Sequence, residues 1–168
     1  MQLITGDKFL RPQMMAAAIA MTLCGHASAM LEEVIVTAQK RAQNLNDVSI
    51  SVTAATAQDI SDMRIETPLD IAKLAPNVDI KSTLAGLNPA ITLRGVGLND
   101  FNVNNNPSVG VYVDEVFLTS PAMLSFMMFD VERVEVLKGP QGTLYGRNTN
   151  GGAINIVSVK PTRETEGY

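Results

Sequence analysis

Two stretches of the chain alternate apolar and polar residues with a period of two, the second broken once at Glu132-Arg133. Val48-Ser49-Ile50-Ser51-Val52-Thr53 and Val131-Glu132-Arg133-Val134-Glu135-Val136 each predict a strand with one buried face, the second with its charges outward. Apolar, mostly β-branched residues at 78–81, 90–94, 109–113 and 153–158 predict four more strands, with Asp114-Glu115 as a turn. Thr56-Ala57-Gln58-Asp59 has the spacing of a capping box and predicts a short helix to about Met63. Thr67-Pro68-Leu69-Asp70 repeats the device with proline in the first turn, and Pro76 ends that helix. The apolar residues 121–129 predict a third helix. The asparagine-rich residues 95–108 predict a polar surface loop, and residues 139–146 a turn-rich linker. Short strands alternating with short helices imply an α+β fold, a compact domain with a small mixed β-sheet.

The first residues follow a different pattern. Lys8 and Arg11 precede the uncharged apolar run 14–24, Gly25 breaks it, and Ala27-Ser28-Ala29 follows. The run falls short of the roughly 20 residues that a membrane-spanning helix needs. Basic segment, short apolar segment and small-x-small site predict an export signal at 1–29. Leu23 before Cys24 lacks the small residue that a lipid-anchor site requires. After the signal, Leu-Glu-Glu-Val-Ile-Val-Thr-Ala at 31–38 is β-branched, and residues 39–47 are polar and aperiodic, as a linker would be. Residues 31–38 read equally as an ordinary first strand or as an extended segment on a tether, offered to another protein's sheet edge.

Composition removes whole classes of function. The chain has 168 residues, 46% of them hydrophobic, and a net charge of −4, so it can bury a core and offers no basic face for nucleic acid. Its one cysteine and one histidine both lie in the predicted signal. The exported chain therefore has no disulfide, no thiol chemistry, no Ser-His or Cys-His pair and no zinc site of the usual kinds. Gly95-Val96-Gly97 begins like a dinucleotide fingerprint but lacks the third glycine and the helix after it. Residues 139–146 lack the Gly-Lys-Ser/Thr ending of a phosphate loop. Glu32-Glu33 and Asp114-Glu115 are adjacent acids that face opposite ways on a strand, so solvated surface is the reading for both. Arg133 and Glu135 share a strand face and predict a surface ion pair of small energy. Gly151-Gly152 needs a positive-φ backbone or the close approach of another chain, and predicts a tight turn before the final strand.

In their order, these segments resemble the plug domain of TonB-dependent outer-membrane receptors. Residues 32–38 look like the TonB box and 47–53 like the first plug strand. Ile91-Thr92-Leu93-Arg94-Gly95 is similar to the family's apolar-Arg-Gly motif, and Val109-Gly110-Val111-Tyr112-Val113-Asp114 to the strand after it. Residues 131–140, running into Leu144-Tyr145-Gly146, are the most specific stretch, and Gly151-Gly152-Ala153-Ile154-Asn155-Ile156 resembles the strand that leads into the barrel.

The resemblance implies a plug inside a barrel of about 22 strands, gating uptake, with ferric siderophores as the commonest cargo and other small ligands possible. It implies that Glu33, Val34, Ile35, Val36, Thr37 and Ala38 pair with the periplasmic domain of TonB. Arg94, Arg133, Glu135 and Arg147 would meet the barrel, and Asn99, Asn102, Asn104 and Asn105 would form a ligand-facing apex. Gly95, Gly139, Gly146, Gly151 and Gly152 would be turn positions. No enzyme activity, cofactor or metal is expected. The domain boundaries are 1–29 signal, 30–47 TonB box and flexible linker, 48–160 plug, and 161–168 the opening of a first barrel strand. On this reading the chain is a receptor fragment without its barrel, located in the outer membrane as part of the full receptor. The alternative is a free-standing periplasmic binding module derived from a plug.

Overall fold

The computed structural model describes residues 34–83, 88–98, 102 and 105–162. The predicted signal at 1–29, and residues 163–168 of the predicted barrel strand, lie outside the described residues.

Three sheets account for the strands. A two-stranded ribbon pairs β1 (Ile35–Val36) with β2 (Gln43–Asn44). The largest sheet has the order β3-β9-β10-β7-β8 and joins β3 (Ser51–Thr56), β7 (Val109–Val113), β8 (Val116–Phe117), β9 (Val131–Lys138) and β10 (Gly152–Ser158). At its centre β10 runs antiparallel to β9 and parallel to β7, so the sheet is mixed, as predicted. The third sheet is a meander of β4 (Val78–Thr83), β5 (Asn88–Leu93) and β6 (Val96–Gly97).

Both capping boxes form. Thr56 accepts the Asp59 N–H, and the Asp59 carboxylate takes the Thr56 N–H at 2.9 Å, opening helix α1 (Ala57–Asp62). Donation to that carboxylate from the Thr56 N–H and, after it, from the Thr56 hydroxyl at 2.9 Å holds the Asp59 carboxyl below its usual pKa. Asp70 likewise accepts from the Thr67 hydroxyl at 2.9 Å and heads a 3-10 helix, Pro68–Lys73. Lys73 first, and Thr67 after it, hold Asp70 low.

Four expectations shift. The strand at 48–53 is displaced to Ser51–Thr56, because Leu45–Asp47 forms a 3-10 turn in which the Asn44 side chain accepts the Asn46 N–H. The polar loop after Arg94 contains β6, which turns back onto β5 through Thr92↔Gly97 and Leu93↔Val96. The third helix is a 3-10 turn, Pro121–Ser125. The linker at 139–146 contains one helical turn, α2 (Gly142–Tyr145), which buries Tyr145.

The main core lies on one face of the large sheet. Val134, Val136, Ile154 and Ile156 meet Ile71, Leu93, Val109, Val111 and Leu124 there. A second cluster of Val36, Ala38, Tyr112, Leu137, Tyr145 and Ala153 lies on the opposite face. Gly152 sits where β9 and β10 meet: its φ is +147°, and a Cβ built on it would lie 2.2 Å from the Leu137 carbonyl oxygen. No other residue fits that position. At Gly151 a Cβ would lie 2.8 Å from the Val96 carbonyl oxygen, so main chain of this same protein approaches both glycines closely. Gly95, Gly139 and Gly146 all take positive φ at their turns.

Candidate functional site

Residues 34–45 form a covered segment laid across the second face of the large sheet. β1 and β2 pair antiparallel, Ile35↔Asn44 and Val36↔Gln43, and the Leu45 N–H donates to the Val34 carbonyl at 2.9 Å. Lys40, at φ 60°, closes the turn by donating its N–H to the Thr37 carbonyl at 2.8 Å. Alternation then decides what is buried: Val36 is 1% and Ala38 0% exposed, whereas Ile35 is 53% exposed. The apolar pair drives docking through area removed from water. Of the two readings open for residues 31–38, residues 35 and 36 follow that of a paired strand. Polar residues 39–47 looked aperiodic because they spend their polar groups on turns.

Beneath Thr37 lies a charged cluster. Glu135 is fully buried. Its Oε1 accepts the Thr37 N–H at 2.7 Å, the Thr37 hydroxyl at 3.2 Å and Arg133 Nε at 2.8 Å. Its Oε2 accepts from Asn155 Nδ2 at 3.3 Å. Arg133 also donates to the Thr37 hydroxyl oxygen at 3.1 Å and pairs with Glu132. A buried carboxylate is tolerable only with a cation and several donors, and Glu135 has both.

Two tyrosines close the other end. The Tyr145 hydroxyl donates to the Ala38 carbonyl at 3.0 Å, and the Tyr112 hydroxyl to the Tyr145 carbonyl at 2.5 Å. Their rings meet edge to face, with centroids 5.0 Å apart. Lys40 Nζ lies 4.9 Å from the Tyr145 ring centre and 3.6 Å from the Glu115 carboxylate. Burial, reinforced by the charge of Glu135, pushes the Tyr145 phenol well above its ordinary pKa, which keeps it a donor at any physiological pH.

The other predicted residues scatter. Arg94 is exposed, at φ 51°, with Nη2 3.0 Å from the Ser51 hydroxyl. Burial of Lys138 and, after it, the charge of Arg94 lower the Lys138 pKa, so the two cations are neighbours. Arg147 is exposed in the turn after α2. Glu135 has no surface to present to a surrounding wall, and Arg133 turns in to meet it, so the expected outward role of this pair is corrected. The strand alternates as read, but the face holding both side chains is roofed by residues 34–45. The expectation of a weak surface ion pair fails for the same reason. Asn102 is exposed, and its carbonyl accepts the Asn105 N–H at 3.0 Å. Glu33, Asn99 and Asn104 lie outside the described residues. Tyr112, Tyr145, Lys40 and Asn155 belong to the site and were not singled out from sequence. Two tyrosines in otherwise apolar strand and turn segments were the available signal. Among the described residues no group of three potential metal ligands converges, and no helix is long and apolar enough to cross a membrane.

A family model described as TonB-dependent Receptor Plug Domain matches residues 44–153. The pesticin receptor of Yersinia pestis is 36% identical over 136 residues, which cover 80% of this chain and 20% of that protein. The vitamin B12 transporter BtuB of Vibrio vulnificus (strain CMCP6) is 34% identical over 141 residues, 81% of this chain and 22% of that one. In structure, the chain is similar to the ferric yersiniabactin uptake receptor FyuA from Yersinia pestis. That match has a TM-score of 0.61 and 37% identity, and covers 67% of this chain and 17% of that chain. The chain thus spans 20% to 22% of the length of these curated relatives. The family is one of receptors, not enzymes; the match covers the sheet as far as Ala153, whereas residues 34–43 of the roof lie before it. The chain belongs to the TonB-dependent receptor plug domain family.

Proposed function

We propose that this chain is the gate of an outer-membrane receptor for energy-coupled uptake, and that residues 34–38 are the strand by which TonB grips it. The observation that carries this reading is the docking of β1. It is a two-residue strand with one face buried, Ile35 outward, and a short ribbon partner. An extended segment of that kind is recognised through its main chain, by addition to another protein's sheet. The cargo class that fits is a ferric siderophore, as in the name of the uptake receptor FyuA. Arg94 and Arg147, both exposed, are the residues suited to meet acids of a surrounding barrel. The asparagine-rich segment around Asn102 and Asn105 suits a ligand-facing apex.

The test is Ile35→Pro in the full chain, with binding to the periplasmic domain of TonB measured by pull-down. Proline removes an outward N–H, and the Ile35 side chain is half exposed, so the core is untouched. Binding is expected to be lost. Binding equal to that of the unaltered chain overturns the assignment of residues 34–38.

A further inference from the structure

The bond from the Leu45 N–H to the Val34 carbonyl makes these two residues a hydrogen-bonded pair of the antiparallel ribbon. Pairs of that kind alternate, so Val36 and Gln43 form the next one. The main-chain groups of Ile35 and Thr37 consequently face the other edge of β1, away from β2. A partner strand would be added along that edge. Yet Thr37 is not open there. Its N–H is held by Glu135 at 2.7 Å, and its carbonyl by the Lys40 N–H at 2.8 Å. The next carbonyl, of Ala38, is held by the Tyr145 hydroxyl.

We propose that Glu135 is a positioning residue that caps the outer edge of the coupling strand, so that the carboxylate and an incoming TonB strand compete for the Thr37 N–H. The inference rests on the reading of residues 34–38 as that strand. Three features support it. The bond is charge-assisted, hence stronger than the neutral main-chain bond that would replace it, so the docked segment resists addition. The carboxylate and Arg133 both engage the Thr37 hydroxyl as well, at 3.2 and 3.1 Å, which fixes the register at one residue. A charge pointed at an otherwise open strand edge is a recognised means of keeping unwanted strands from pairing. When the segment lifts, water reaches Glu135 and replaces the lost donors, so release leaves no buried charge without partners.

The experiment uses the full chain and two readouts: amide hydrogen exchange at Thr37, and affinity for the periplasmic domain of TonB. Glu135→Gln keeps the shape and removes the charge. Thr37 exchange and TonB affinity are both expected to rise by about three- to tenfold, the range of a weakened charge-assisted bond. Glu135→Asp keeps the charge beside Arg133 while drawing the carboxylate back from Thr37, and is expected to move both readouts the same way. If Thr37 exchange rises but TonB affinity is unchanged or falls, Glu135 is structural only and the cap is refuted. Unchanged exchange in a folded variant refutes it too. Ile35→Pro separates the two layers of the argument. If that variant still binds, the coupling-strand reading fails whatever Glu135 does. If it does not bind while the Glu135 variants bind as the unaltered chain does, only the cap fails.

Discussion

On one face of the five-stranded sheet, Val134, Val136, Ile154 and Ile156 meet Ile71, Leu93 and Leu124, with no buried charged group of the described residues between them. On the other face, Leu137 and Ala153 share the surface with Glu135, Asn155, Tyr112 and Tyr145 under a roof of fewer than twenty residues. The same two strands, β9 and β10, supply both faces, so the difference comes from alternate positions of one sequence. The apolar face is held by close packing, where every removed methylene costs stability and no water is admitted. The second face, besides the burial of Val36 and Ala38, is held by hydrogen bonds to Thr37 and Ala38, which water can replace one for one. On the proposed reading, one face stays closed and the other opens without unfolding the first.

Three substitutions probe that contrast, in decreasing order of effect. Gly152→Ala strikes the β9–β10 junction common to both faces, where the new Cβ would sit 2.2 Å from the Leu137 oxygen at a φ of +147°. It is expected to cost more than about 3 kcal/mol of unfolding free energy in urea and to disturb both faces together. Ile154→Ala opens a cavity on the apolar face alone. A loss of about 3 kcal/mol is expected, with amide exchange at residues 34–38 rising only as far as global unfolding does. Tyr145→Phe removes one hydroxyl from the polar face and frees the Ala38 carbonyl. Its cost is about 1 kcal/mol, read as faster exchange in residues 34–38 while the urea midpoint of the sheet holds. If Tyr145→Phe lowered that midpoint as much as Ile154→Ala, the two faces would be one cooperative unit and the contrast would collapse.

The parts legible in the sequence were those decided locally. Thr56 with Asp59, and Thr67 with Asp70, announce their helix starts because both partners of each cap lie within three residues. Residues 131–136 and 109–113 announce strands by period and β-branching. The polar site was not legible, because its logic is long-range. Thr37 meets Glu135 across 98 positions of sequence and Tyr145 meets Ala38 across 107. Period two says that Arg133 and Glu135 share a face; it does not say what lies on that face. Charge suggested water, but residues 34–45 lie there. The helical turn at Gly142–Tyr145 escaped for another reason: four residues between glycines carry too little pattern to register.

The pairing registers also dictate how the molecule would bear a load. Tension applied at Val34 and resisted at Ser158 first meets the β1–β2 ribbon at its open end, where the Val34–Leu45 bond lies. That geometry unzips, with bonds failing one after another, each carrying the whole force alone. The pull then reaches Ser51, at the Lys138 end of β9, while Ser158 sits at the Val131 end. Since β3 and β10 both run antiparallel to β9, they point the same way, and force between these two ends shears β3 along β9. All of the β3–β9 bonds then share the load at once. The molecule is therefore soft for its first few residues of extension and stiff beyond them, a fuse in series with a beam.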